Sequence, residues 1–487
     1  MKRLYSFVIL LFFTCSAFSQ YMRSSPSDLF NFHPKGIHYL SDSTAIAACS
    51  QAGEREKELV FINKEALITN ILDVPGIVFD LAGYKGNVLV FYYNEQERSH
   101  EDSDIHVVLI DVVKQRIVAD KEIYKIPGHD QIESMVGKDN NDEFSHLLIR
   151  TSRLPYYPGG DPDEKEIRLY KTTKSLKVLT LSENLEPSTH SLASVVMNGY
   201  FITTMADKKG MITVLGHANG LLTAERYDRS GLLLQTLTQP MELYCGKKSF
   251  FVECVRQYDP ANDDRLAISI KYPDLKGKTA MMSVYLFDFA AKKGLTSGTV
   301  ALDKNFTNEI VHDPQMPDPA VFRHPRSLHP VSVSFIGDRI LFCNEEAYGL
   351  AKTRHDRRMH YYTFYGQGGI VSIFDTQLHL QHRTFISRNT ETYWNGLSSG
   401  IRNGKLEIFG NEGSEATKYG FFCFRIDPMT GALERKEMEM DSLWRQRPVD
   451  PDVILRFRDH LVVTHPVPDS VYHTDLNCYM HTVPYLP

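Results

Sequence analysis

The chain has 487 residues, with 54 Lys and Arg against 60 Asp and Glu and a formal net charge of −6. That balance excludes a polyanion such as DNA as partner, because holding phosphates needs concentrated positive charge. Hydrophobic residues at 42% and aromatic residues at 11% suffice for a large core, and length alone suggests about three domains of roughly 150 residues unless the chain is a repeat fold.

The chain opens with MKRLYSFVILLFFTCSAFSQ, which has the anatomy of a secretory signal. Lys2 and Arg3 precede an apolar run from Phe7 to Phe13, too short to span a bilayer, and small residues follow. Ala17 and Ser19 predict cleavage after Ser19, leaving residues 20–487 as one mature domain that is exported to the periplasm, the cell surface or the medium. Cys15 offers a rival lipoprotein reading, which the bulky Phe12 and Phe13 before it fit poorly. Loss of Lys2 and Arg3 takes the charge from −6 to −8, since two positive groups leave. Beyond this segment the sequence has no integral membrane segment.

Of the six mature cysteines, Cys49, Cys254, Cys343 and Cys423 sit in apolar runs, where a free thiol behaves as a small hydrophobe. Cys245 and Cys254 share a predicted hairpin, LYCGKKSFFVEC, whose turn does not set them opposite one another. All six are expected free, and no spacing suits zinc.

Short runs of Val, Ile, Leu, Phe and Tyr bounded by Gly, Asp, Asn and Pro recur along the chain with little helical periodicity, so the fold class is all-β. Within them a unit repeats in which an apolar strand ends in Asp and a second strand follows at once. It reads VVLIDVVKQRIVAD, AERYDRSGLLLQTL, VYLFDFAAKKGLTS, VSIFDTQLHLQHRTF and CFRIDPMTGALERK, with Asp111, Asp228, Asp288, Asp375 and Asp427 in the shared place. LVFINKEALITNI, with Asn63, and IRLYKTTKSLKVL are weaker copies. An Asp or Asn there bonds the backbone two residues on and starts a tight turn, so these residues are read as turn formers rather than catalysts.

Seven such hairpins at intervals of very roughly 45 to 85 residues, each preceded by another apolar strand, predict a β-propeller of four-stranded blades. DPMTG and its relatives resemble the turn between the last two strands of a blade in extracytoplasmic bacterial β-propeller repeat proteins, a likeness of architecture that singles out no one family. The tail VILRFRDHLVVTHP can pair with the N-terminal GIHYLSDSTAIAACS in one composite blade, giving seven, or build its own blade with CYMHTVP, giving eight. Seven is the preferred expectation. Either arrangement covers the terminal strand edges.

The resemblance implies that loops joining second to third strands, and loops joining one blade to the next, share one face around the channel mouth. Three second strands end alike in FYYNEQ, LFCNEE and IFGNEG. They carry Asn94, Asn344 and Asn411, each read as tolerating a left-handed bend, beside the carboxylate candidates Glu95, Glu345 and Glu412. TRHDRRMHYYTFYGQGG becomes the second-to-third connection of blade six. Its Arg354, His355, Arg357, Arg358 and His360 suit an anionic ligand, and Tyr361, Tyr362 and Tyr365 offer flat faces to a sugar or side chain. The competing reading is a protruding hairpin with packed tyrosines and solvated arginines. The neighbouring segment NFTNEIVHDPQMPDPAVFRHPRSLHP adds His312, His324 and His329, and RLPYYPGGDPDEKE adds Tyr156 and Tyr157 before Asp161, Asp163 and Glu164, which lack a full calcium-ligand pattern.

No G-x-S-x-G elbow, H-E-x-x-H pair or Gly-rich phosphate loop is present, so no cofactor or metal is expected and the catalytic residues, if any, are unknown. Three functions remain open. The first is an exported module binding a protein or glycan, with an anionic group on the ligand, through the loop-rich face. The second is a glycan-active hydrolase or lyase with dispersed residues near the channel. The third is a structural component of an envelope assembly.

Overall fold

The computed structural model describes residues 30–51, 58–94, 104–125, 130–153, 173–195, 199–243, 252–274, 279–313, 324–353, 360–391, 396–414, 417–440, 447–450, 454–468 and 476–485. The leader read at residues 1–19, together with Glu95, Tyr156, Tyr157, the acidic run after them, Cys245, Arg354, His355, Arg357 and Arg358, lies outside these residues.

The described residues form a β-propeller. Blade one is β1 (Phe30–Ser41), β2 (Thr44–Gln51), β3 (Glu58–Asn63) and β4 (Ile68–Asp73), and blade two is β5 (Ile77–Tyr84), β6 (Asn87–Tyr93), β7 (Ile105–Asp111) and β8 (Arg116–Tyr124). Blade three is β9 (Asp130–Lys138), β10 (Phe144–Arg153), β11 (Thr173–Leu181) and β12 (Pro187–Ser191), and blade four is β13 (Tyr200–Ala206), β14 (Ile212–Ala218), β15 (Leu221–Tyr227) and β16 (Leu233–Pro240). Blade five is β17 (Glu253–Asp259), β18 (Asn262–Pro273), β19 (Ala280–Asp288) and β20 (Lys293–Ala301), and blade six is β21 (Leu328–Ile336), β22 (Arg339–Thr353), β23 (His360–Phe374) and β24 (Leu380–Glu391). Blade seven is β25 (Leu397–Arg402), β26 (Lys405–Ser414), β27 (Lys418–Ile426) and β28 (Leu433–Glu437). The tail folds as a three-stranded sheet of β29 (Leu455–Arg456), β30 (His460–Pro468) and β31 (Leu476–Pro484).

The ring follows from where the apolar side chains go. Successive residues of a strand face opposite sides of its sheet, and a blade is covered on both sides, so its inner strands are apolar throughout. On β6, Val88 and Val90 pack toward blade one with Ile46 and Phe61, while Leu89 and Phe91 pack toward blade three with Leu147 and Ile149. A core of this kind fills every junction between consecutive blades. A last one joins Ala45, Ala47 and Val60 of blade one to Leu455, Phe457 and Val462 of the tail. The tail is therefore an eighth blade in its own right, the second of the two counts that the sequence allowed. Its strand β31 pairs with β30 rather than entering blade one, whose own four strands are already paired among themselves. The Tyr39 hydroxyl accepts from Arg456 N at 2.8 Å across this closing junction, and Lys64 pairs with Asp459 at 3.2 Å. Fourth strands are more exposed, alternating in Ile68–Asp73 and mostly exposed with charged residues in Leu433–Glu437, which blunts that edge against further pairing.

The turn aspartates act as their type predicts. Asp427 Oδ1 accepts from Met429 N (2.8 Å) and Thr430 N (3.1 Å), and Asp375 Oδ1 accepts from Gln377 N and His379 N. The bonds from Met429 and Thr430 hold the Asp427 carboxyl below its ordinary range. Blade three corrects one assignment: KSLKVL belongs to the single strand β11, and the hairpin turn lies at residues 182–186 with Leu185 at φ 60. The expected hairpin around Cys245 and Cys254 falls mostly on residues 244–251, outside the described residues, and Cys254 lies on β17, which pairs with β18. Cys254, Cys343 and Cys423 are free thiols, and Cys49 is buried on β2. The crossing into blade six also holds a helix that sequence periodicity did not reveal, α1 (Lys304–Val311), capped by Asp303 accepting from Asn305 N and Phe306 N.

Candidate functional site

The segment singled out in blade six is the end of a long two-stranded arm. Pairing of β22 with β23 runs from Ile340 opposite Phe374 to Thr353 opposite His360, interrupted by one bulge at Glu346/Ala347. The flanking strands stop earlier, β21 where Leu328 meets Glu346 and β24 where Glu391 meets Tyr365. Beyond that level the arm has both edges bare among the described residues. Thr353 to Tyr365 therefore belongs mostly to strand backbone, with His360, Tyr361 and Tyr362 on β23 and the arginines in the tip outside the described residues. Lys352, Arg354, Arg357 and Arg358 stand against one carboxylate, Asp356, on an otherwise acidic chain.

The base of the arm is built from aromatic rings. Tyr348 and Tyr365 face each other across the ladder and stack at 5.4 Å, and His324, arriving from the blade-to-blade crossing, lies 4.3 Å from Tyr348. The His324 backbone N–H donates to the buried Glu346 carboxylate at 2.5 Å, and the Tyr365 hydroxyl donates to Glu391 Oε1 at 3.3 Å. The structure thus brings His324 and Tyr365 together through Tyr348, which sequence reasoning passed over. Its signal was the pairing register, visible only once the bulge is known.

Beside this base, at the junction of blades five and six, three charged groups meet that no local motif announces. His329 Nδ1 lies 2.7 Å from Glu253 Oε2 and 3.2 Å from Lys271 Nζ, while His329 Nε2 lies 3.2 Å from the Ala347 carbonyl. With Nε2 donating to Ala347, Nδ1 either accepts from Lys271 or, when protonated, donates to Glu253. Burial pushes the Lys271 ammonium below its ordinary value. Burial alone would raise Glu253, but His329 and Lys271 outweigh it and hold the carboxyl low.

Glu95 lies outside the described residues, and the charges of the other two carboxylate candidates both act on the buried Arg388. Glu345 pairs with the buried Arg388 at 3.4 Å in the seam of blades six and seven, and Glu412 pairs with Arg435 within blade seven. The Asn readings are corrected too. Asn344 and Asn411 lie inside β22 and β26 in strand conformation rather than at left-handed bends, because both strands run on past them. Asn411 instead fastens the chain that leads into blade eight, with Nδ2 donating to Val449 O at 2.6 Å and Oδ1 accepting from Val449 N at 2.9 Å. His312 caps the C-terminus of α1 and is exposed. Among the described residues no three His, Cys, Asp or Glu side chains gather in a metal-holding group, and no helix is long and apolar enough to cross a membrane.

At its other end the channel is crossed by the β9–β10 turn. Asn140 Nδ2 donates to Tyr258 O of blade five at 3.1 Å, Lys138 pairs with Asp80 of blade two at 2.8 Å, and Asp142 meets His38 of blade one at 2.7 Å. One turn therefore ties four blades together.

No protein-family model matches the chain, and no characterised protein sequence matches it. Among solved structures, the β-propeller domain of the Trilobed protease from Pyrococcus furiosus is 12% identical, with 84% of this chain and 93% of that one covered at a TM-score of 0.36. BamB from Moraxella catarrhalis is 10% identical over 84% of this chain and 98% of that one, at 0.32. The Nup133 β-propeller domain from Vanderwaltozyma polyspora is 9% identical over 84% and 100%, at 0.36. These likenesses add nothing to the blade architecture described above.

Proposed function

We propose that this protein is an exported binding module that takes hold of a protein partner with its blade-six arm and the mouth beside it. The observation that carries this reading is the arm itself. Among the described residues its two strands run on past both flanking strands, offering ladder edges to which an incoming extended segment can add. The basic residues near its tip favour a partner with acidic groups and steer the encounter. The His324–Tyr348–Tyr365 stack supports the arm as a fixed element, which lowers the ordering cost of binding. The secretory signal read at residues 1–19 supports export. The test replaces residues 349–364 by a two-residue Asn-Gly turn. The shortened protein melts within a few degrees of the parent and fails to retain, from the extracellular fraction of its source, the protein that the parent retains; equal retention would move the binding surface elsewhere.

A second reading, a glycan-active hydrolase or lyase, draws its support from the close approach of Glu253, Lys271 and His329. Release of reducing ends from acidic polysaccharides that disappears in His329→Gln would favour it over binding alone.

A further inference from the structure

Arg256 is a half-buried cation whose Nε is fully buried and which, among the described residues, has no carboxylate partner. It lies on β17 and lines a cavity of about 430 Å³ at the end of the channel crossed by the β9–β10 turn, together with Asp80, Lys138, Asn140, Thr204 and Gln257. Its Nη2 donates to the Thr204 carbonyl at 2.8 Å, its Nε is buried with no bond, and among the described residues no carboxylate pairs with it. The other charges around the cavity are satisfied. Lys138 holds Asp80 and Asp142, Asp142 also meets His38, and Asp139 Oδ1 accepts from Asn141 N and Glu143 N. The neighbouring buried arginine of the same two blades shows the contrast: Arg226 sits between Asp207 and Asp264.

From this we infer that the cavity binds a small monocarboxylate, with Arg256 as its anchor. A guanidinium does not shed its proton to escape partial burial, so an anion is the partner that completes its unmet hydrogen bonding. Burial indeed pulls Arg256 below its ordinary value and pushes the adjacent Cys254 thiol up to about 11. A carboxylate matches the planar fork with two charge-assisted bonds. Gln257, whose side chain makes no bond among the described residues, supplies amide hydrogen-bonding groups beside it. Asp80, Asp139 and Asp142 line the same cavity and restrict the rest of the ligand. A second negative charge would face them, whereas hydroxyl or ammonium groups would be welcomed, so the ligand is a hydroxylated or zwitterionic acid. The volume lies toward the small end of the range for ligand pockets, roughly 300 to 1,000 Å³. This site stands apart from the arm and does not depend on it.

The experiment is thermal unfolding of the full mature protein at fixed ionic strength and neutral pH with lactate, serine and glucuronate. Their neutral amides and inorganic phosphate serve as controls. At least one carboxylate is expected to raise the midpoint in a saturable way, its amide to leave it unchanged, and Arg256→Gln to abolish the shift. Arg256→Lys, which keeps the charge and loses the fork, is expected to weaken binding about tenfold and serves if the glutamine variant does not fold. No shift with any carboxylate, an equal shift in the variants, or a stronger response to phosphate than to any carboxylate would overturn the assignment.

Discussion

His38 Nδ1 and Asp142 Oδ2 stand 2.7 Å apart although the residues are 104 positions apart in the chain and belong to blades one and three. Asp142 also receives Lys138, and its φ of 62 is a left-handed conformation that Asp and Asn tolerate better than most. Asp142→Asn keeps the backbone and loses the charge. It should cost roughly 1 kcal/mol, because the carboxylate is partly exposed. Asp142→Ala adds the left-handed penalty and should cost about 2 kcal/mol. Urea midpoints of the two variants check the order; equal values for both variants and the parent would mean the turn is not anchored here.

A pH response should come from His146. The ring is fully buried on β10 against Gly137, its Nε2 meets Thr204 Oγ1 at 3.1 Å, and burial pushes its pKa down to about 3. The unfolded chain takes up this proton near pH 6.5 while the folded chain refuses it until about 3. Between those values the unfolded state binds more protons, so stability falls as pH falls, by about 1.4 kcal/mol per unit from this group. His146→Gln should flatten the stability profile between pH 6 and pH 4, measured by denaturant midpoints, and an unchanged slope would exclude His146 as its source.

Closure depends on blade eight. Deleting residue 454 onward strips Ala45, Ala47 and Val60 of Leu455, Phe457 and Val462 and removes the bond from Arg456 to Tyr39. Burying such residues contributes about 1.5 to 3 kcal/mol each. The truncated chain should lose its single cooperative transition in calorimetry, with blade one melting first by hydrogen exchange.

Export predicts a mature chain that begins at Gln20. Intact mass of the protein recovered outside the cytoplasm should match residues 20–487, with loss of ammonia if Gln20 cyclises. A diacylglycerol adduct on Cys15 would select the lipoprotein reading instead.

Features that depend on a few consecutive residues were legible without coordinates. Asp111, Asp228, Asp375 and Asp427 make their turns with amides two to four positions on, so spacing alone revealed the hairpins. The repeated unit of an apolar strand ending in Asp and followed at once by a second strand gave the blade pattern for the same reason. The short helix α1 was not legible, because eight residues hold barely two turns of periodicity. Features that depend on residues far apart in the chain waited for the folded ring. It set the tail as an eighth blade, because the sheet next to blade one is chosen by which apolar faces meet. It placed Asn344 and Asn411 inside strands, because their strands continue over neighbours that local sequence does not name. It gathered Glu253, Lys271 and His329 and, among the described residues, gave Arg256 no carboxylate, because partners in a ring of blades come from different repeats. Charge pairing is settled by distance in space, and in this fold that distance is set by the closing of the ring.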